Sequence, residues 1–171
     1  MIDKFGKAFL TMFGIGYFKY APGTAASIVT CLIYFLIAGR LNFTYVIIFL
    51  IVVSLYSIIL IDKIYKKKDA KEIVIDEFIG QSIPLLAIST SNELNIKLIV
   101  FLNNVSSQLG VYWFEMWILI SFILFRFFDI LKPFPINLID KKIKNSFGVI
   151  LDDIVAGIFA TISLYIILLW I

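Results

Sequence analysis

Histidine is absent from this 171-residue sequence, cysteine occurs once, and charged side chains make up only 16% of it. Each shortage closes a route. Without histidine the chain lacks the commonest general base and the usual zinc ligand. The lone Cys31 sits in an apolar run. It excludes an intrachain disulfide and a cysteine-rich metal site, and it reads as a small buried hydrophobe. No basic tract is interleaved with aromatics, so no nucleic acid is expected as a partner.

What remains is apolar. Hydrophobic residues make up 61% of the chain, against about 45–50% in a soluble domain. Mean hydropathy is +1.01. The length suits one domain, residues 1–171. The expected fold class is all-α: an integral membrane bundle of about four to five apolar helices with a short N-terminal amphipathic helix.

Along the chain, Phe5, Phe9, Leu10 and Phe13 alternate with Lys4 and Lys7, the pattern of a helix lying on a membrane surface. Gly14 and Gly16 end it. Charge interrupts this segment too often for a secretory signal, so the first apolar helix is expected to be kept. Pro22-Gly23-Thr24 is a turn signal, with Thr24 or Ser27 to cap the next helix. Apolar helices are predicted over 25–39 and 43–61, then a charged loop over 62–72. Residues 73–90 are apolar except for Asp76, Glu77 and Gln81, with Pro84 as a kink. A loop at 91–95 leads to 96–111, an interfacial or re-entrant piece. An aromatic-rich helix over 112–131, a charged loop over 132–147 and a last helix over 148–171 complete the reading.

Basic side chains orient this arrangement. If the N-terminus is cytoplasmic, thirteen of the fifteen lysines and arginines fall inside, and only Arg40 and Lys97 fall outside. The same orientation puts Asp76, Glu77, Asp129, Asp152 and Asp153 at the cytoplasmic ends of helices, although the basic count does not require it.

Three stretches carry these acids: Val74 to Gly80, Phe125 to Ile136 and Ile150 to Gly157. In the second, Arg126, Asp129 and Lys132 recur every three residues, which on a helix stacks them on one face. Pro133 then stops the helix and Pro135 keeps the chain extended. A carboxylate at mid-helix in a membrane costs about 2.5–3.5 kcal/mol, and the adjacent pairs Asp76-Glu77 and Asp152-Asp153 repel. Five acids outnumber Arg126 and Lys132. A hard divalent cation such as Mg²⁺, which prefers oxygen ligands, offsets the excess. Gly80 and Gly157 each follow an acid by four residues, so two helices are expected to cross closely beside the site. Plainer readings exist for each piece. Asp152-Asp153 is also favourable charge at a helix N-terminus, and the lysine loops also serve as topology determinants and anionic-lipid contacts. An ion-coupled transporter is the competing class, although its acids are expected near mid-membrane. A structural or lipid-scaffolding protein is the third.

Together these residues resemble the phosphatidylglycerophosphatase A family. The matching pieces are Gly14-Ile15-Gly16, Ala21-Pro22-Gly23-Thr24 with Ser27, Asp76 to Gly80, Arg126 to Ile136, and Gly148 through Leu151 to Gly157. The resemblance implies a Mg²⁺-dependent phosphatase of the bacterial inner (cytoplasmic) membrane, crossing it several times with its site facing the cytoplasm. Its partner would be the lipid phosphatidylglycerophosphate; self-association is left open. Asp76, Glu77, Asp129, Asp152 and Asp153 would hold metal. Gly23, Thr24, Ser27, Arg126 and Lys132 would bind substrate, and Asp129, Asp153, Lys132 and Arg126 would be catalytic. A carboxylate would either activate water or attack directly. The sequence has no Cys-x5-Arg loop and no Asp-x-Asp-x-Thr motif. It departs from the family at Ala26, where a glycine is usual, and at Asn145-Ser146, where a glycine pair is usual; both imply altered loop flexibility.

Overall fold

The computed structural model describes residues 2–37, 42–66, 70–90 and 113–170. Arg40, Lys97 and the interfacial piece expected at 96–111 lie outside these residues. Seven α-helices and one 3₁₀ turn, with no strand, make up the described residues.

Helix α1 (Ile2–Leu10) buries Gly6 and Leu10. Its Gly6 faces Leu60 and Ile64, and Phe9 meets Tyr56 edge-on with ring centroids 5.3 Å apart. Met12, Phe13 and Gly14 all take positive φ and turn the chain into the 3₁₀ segment Ile15–Tyr17.

Helix α2 (Pro22–Ile37) starts earlier than its apolar run. Proline suits the first helical position, since its missing N–H has no partner there anyway. The Ala25 N–H donates to the Ala21 carbonyl at 3.0 Å. Thr24 and Ser27 therefore sit inside the helix, and the expectation that either caps it is corrected. Helix α3 (Phe43–Ile64) opens on Asn42, whose Oδ1 accepts from Thr44 and Tyr45. It runs past the apolar stretch to take in Asp62 and Lys63.

Helix α4 (Ile75–Thr90) contains Pro84, and α5 spans Trp113–Leu131. The segment read as a second charged loop holds a further helix, α6 (Ile136–Lys142). The reason is Ile136, fully buried with Phe125, Ala156 and Ala160. Pro135 is not extended: its ψ is 0°. Its carbonyl accepts from Leu138 at 3.0 Å and Ile139 at 3.3 Å, so it starts α6 instead. Helix α7 (Ser146–Trp170) closes the fold. Helices α3 and α7 are long and apolar enough to cross a membrane, and α2 is a shorter apolar helix.

The packing centres on α4 against α7. A Cβ on Gly80 would lie 2.6 Å from both the Asp153 carbonyl oxygen and the Phe125 ring, and one on Gly157 would collide with the Gly80 carbonyl. Neither helix could come so close with a side chain at these points. The crossing expected from the two acid–glycine spacings is present.

Candidate active site

The close crossing sets the site. Asp76 and Glu77 lie in the first turn of α4, while Asp152 and Asp153 lie nearly two turns into α7. Because Gly80 and Gly157 touch, these four carboxylates meet at one end of the bundle. They line a cavity of about 400 Å³ together with Asp129, Lys132 and Asp140. The three acid stretches thus converge on one place.

The start of α7 is tied down by Asn145 and Ser146. Asn145 Oδ1 accepts from the Gly148 N–H at 3.0 Å, and the Asn145 carbonyl accepts from Val149. Asn145 is therefore the N-cap. Ser146 Oγ donates to Asp62 Oδ1 of α3 at 2.5 Å. Expected to alter loop flexibility, Asn145 and Ser146 cap one helix and link it to another. Ala26 is fully buried in the core.

Arg126 and Asp129 form the ion pair their spacing predicts. Lys132 does not join that stripe. Helix α5 ends at Leu131, since Pro133 cannot continue it, and Lys132 adopts a φ of 43°. This turns its ammonium to Asp152 Oδ2 at 2.5 Å and Asp140 Oδ1 at 2.8 Å. Burial pulls the Lys132 pKa down, but the hydrogen bonds to Asp140 and Asp152 outweigh it and hold the group above the usual lysine value. Lys132 is therefore charged throughout the neutral range. The bond from Lys132 in turn keeps Asp140 below the usual carboxylate range.

Gly23, Thr24, Ser27 and Arg126 do not line the cavity. A Cβ on Gly23 would strike the Glu77 carboxylate and lie 3.3 Å from Arg126 Nη1. So α2 meets Glu77 and Arg126 outside the cavity lining that includes Lys132. Buried atoms there lack a hydrogen-bond partner among the described residues: Ser27 Oγ, Glu77 Oε2 and Arg126 Nε. Thr24 is half-buried on the same helix.

Sequence reasoning missed Asp140, and also Lys71 and Lys144, which line the cavity. Asp140 stands eight residues after Lys132 in what reads as a basic loop. The only local signal for it was the apolar Ile136 and Ile139, which make that loop a helix.

Asp76, Glu77 and Asp153 each offer a carboxylate oxygen, and these lie within 4.8 Å of one another. Ligand oxygens about 2.0–2.1 Å from Mg²⁺ in an octahedron stand about 2.9 to 4.2 Å apart. The donor set is all oxygen, as a hard cation requires, and the buried Glu77 Oε2 has no hydrogen-bond partner among the described residues. These three residues fit a divalent ion. Of the other two candidate ligands, Asp152 is paired with Lys132 and Asp129 with Arg126.

Comparison with known proteins agrees with this geometry. The profile of phosphatidylglycerophosphatase A matches residues 8–168. A Haemophilus influenzae phosphatidylglycerophosphatase A is 35% identical over 161 residues, covering 92% of this chain and 85% of that protein. An Escherichia coli protein of the same name is 33% identical over 97 residues, or 57% of this chain and 44% of its own. A Bacteroides thetaiotaomicron protein, provisionally named a phosphatidylinositol-3-phosphatase, is 28% identical over 89% of this chain and 86% of its own. No solved structure matches the chain. A match along nearly the whole length, taking in every stretch that builds the cavity, places this chain in the phosphatidylglycerophosphatase A family.

Proposed function

We propose that this protein is a membrane-bound phosphoric monoester hydrolase that removes the terminal phosphate of phosphatidylglycerophosphate, leaving phosphatidylglycerol. The observation that carries this is the cavity holding Asp76, Glu77 and Asp153 within 4.8 Å of one another, with Lys132 in its wall. The relatives named above share one chemistry by name: each is a phosphatase of a phosphorylated lipid. Acids at helix ends, rather than at mid-span, favour hydrolysis over ion transport.

In this reading Asp76, Glu77 and Asp153 hold Mg²⁺, which when bound would neutralise their repulsion and draw charge from the phosphate oxygens. Lys132, kept charged by Asp140 and Asp152, contacts a phosphate oxygen. Asp129 lines the cavity outside the three-carboxylate cluster. It accepts the proton of the attacking water as the new P–O bond forms. The ester P–O bond breaks, and that proton passes to the departing glycerol oxygen. Arg126 holds Asp129 in orientation, and with Gly23, Thr24 and Ser27 it supports Glu77 from behind. Purified protein in detergent should release inorganic phosphate from phosphatidylglycerophosphate, and excess chelator should abolish the release until Mg²⁺ is restored. Full activity in chelator would remove the metal from the mechanism; no release at all would remove the reaction.

The site faces the cytoplasm of a bacterial inner membrane that the chain crosses several times, with α1 lying on its surface. Lys66 and Lys142 are both exposed. Cysteines placed there in a Cys31→Ser background should resist an impermeant thiol reagent added to intact cells and react after permeabilisation. Rapid reaction in intact cells would reverse the orientation.

A further inference from the structure

A second cavity, of about 850 Å³, lies between α3, α4 and α7. We infer that it is the slot for one acyl chain of the lipid whose headgroup occupies the acidic cavity. The inference rests on the lipid-phosphatase reading and deepens it.

Its chemistry points to hydrocarbon. No charged side chain lines it among the described residues. Two of its polar side chains are turned back on their own helices: Ser54 Oγ donates to the Leu50 carbonyl at 2.7 Å, and Thr161 Oγ1 to the Gly157 carbonyl at 2.9 Å. Tyr165, the remaining one, is far along α7 from the acids. An occupant would find no polar partner near the headgroup end, and a polar occupant would be left unsatisfied.

Its position points to the substrate's own chain. Helix α4 presents Asp76 and Glu77 to the acidic cavity and Ile79, Ile83 and Ala87 to the apolar one. Helix α7 does the same, with Asp152 and Asp153 in one and Ile150 and Ile154 in the other. The slot therefore begins within one helical turn of the carboxylates. From Asp76 to Ala87 is eleven residues, about 16 Å along the helix. One leaflet of hydrocarbon is about 15 Å deep. On the α3 side Ile51 and Leu55 are exposed, so a chain can slide in from the surrounding bilayer.

The test compares long-chain phosphatidylglycerophosphate with its dihexanoyl analogue, whose chains are too short to reach Ala87. Each methylene excluded from an apolar site costs about fourfold in binding. In Ala87→Trp, and independently in Ser54→Trp, shutting out two methylenes should lower the ratio of long-chain to short-chain kcat/KM by about fifteenfold. An unchanged ratio in both variants would overturn the slot, and so would equal losses on the two substrates. If the unaltered protein releases phosphate from neither lipid, the phosphatase reading itself fails, which is a different result. As a readout apart from turnover, a long-chain substrate analogue carrying a diazirine at mid-chain should crosslink to α3 or α4 peptides bordering the slot. Excess long-chain substrate should suppress this, and excess neutral diacyl lipid should not. Labelling that both lipids suppress equally would mean that the groove holds bulk lipid, and would overturn the assignment.

Discussion

Asp153→Asn should reduce phosphate release by about a thousandfold or more, and added Mg²⁺ should not restore it. Asp153 is one of the three carboxylates whose oxygens fall within 4.8 Å of one another, and it is 5% exposed. A metal ion's electrostatic contribution to the transition state is several kcal/mol; about 4 kcal/mol corresponds to about a thousandfold in rate. Asparagine keeps the size and loses the charge, so packing at the α4–α7 crossing is preserved. The substitution also removes one of several buried like charges. The thermal midpoint in chelator should therefore be no lower than in the unaltered protein, whereas the rise on adding Mg²⁺ should shrink. This pair of shifts separates loss of a ligand from loss of the fold. Lys132→Ala offers the contrast. It leaves the three carboxylates in place and removes one charge-assisted contact, about 1.5–3 kcal/mol. Turnover should survive with catalytic efficiency down about ten- to a hundredfold. If Asp153→Asn turned over normally, the three-carboxylate cluster would be a helix-end charge arrangement and not a metal site.

Gly80→Val should be damaging in another way. Its Cβ would stand 2.6 Å from the Asp153 carbonyl oxygen and from the Phe125 ring, where ordinary contact distances are about 3.5–4.0 Å. Backbone oxygen cannot swing aside, and Phe125 is fully buried. Helices α4 and α7 must separate by about 1 Å, which carries Asp76 and Glu77 away from Asp153. Misplacement of that size costs about a hundredfold in rate, and overpacking of a filled core costs about 1–3 kcal/mol in stability. Activity and the thermal midpoint in chelator should fall together, unlike the result for Asp153→Asn. Activity within twofold of the unaltered protein would mean that the carboxylate geometry does not depend on this crossing.

The parts of the site that were legible from sequence are those written in local spacing. Acid followed by glycine four residues later places both on one helix face, and the crossing of Gly80 and Gly157 follows from that. Arg126 and Asp129, three apart on one helix, could be paired without knowing the fold. The helical class, and the two helices long and apolar enough to cross a membrane, followed from long apolar runs. Other features depend on contacts that no window of sequence contains. Helix α6 forms because Ile136 finds Phe125, Ala156 and Ala160; by its own residues it reads as a charged loop. Asp140 reaches Lys132 only once that helix exists. Gly23 reads as a turn residue, yet its lack of a side chain lets α2 approach Glu77 and Arg126. Asn145 and Ser146 read only as a change in loop flexibility until the Gly148 N–H is seen to donate to Asn145 and Asp62 to accept from Ser146.

Lys132 stands between the end of α5 and Pro133 with a φ of 43°, a backbone state that costs an ordinary L-residue about 1–2 kcal/mol and glycine almost nothing. Glycine here would relieve that strain, but the ammonium between Asp140 and Asp152 would vanish with it and leave the buried Asp152 without its cation. The position thus sets backbone ease against a charge-assisted contact within one residue. A library sorted for phosphate release should keep the strained lysine, and chains with glycine there should survive with weakened turnover.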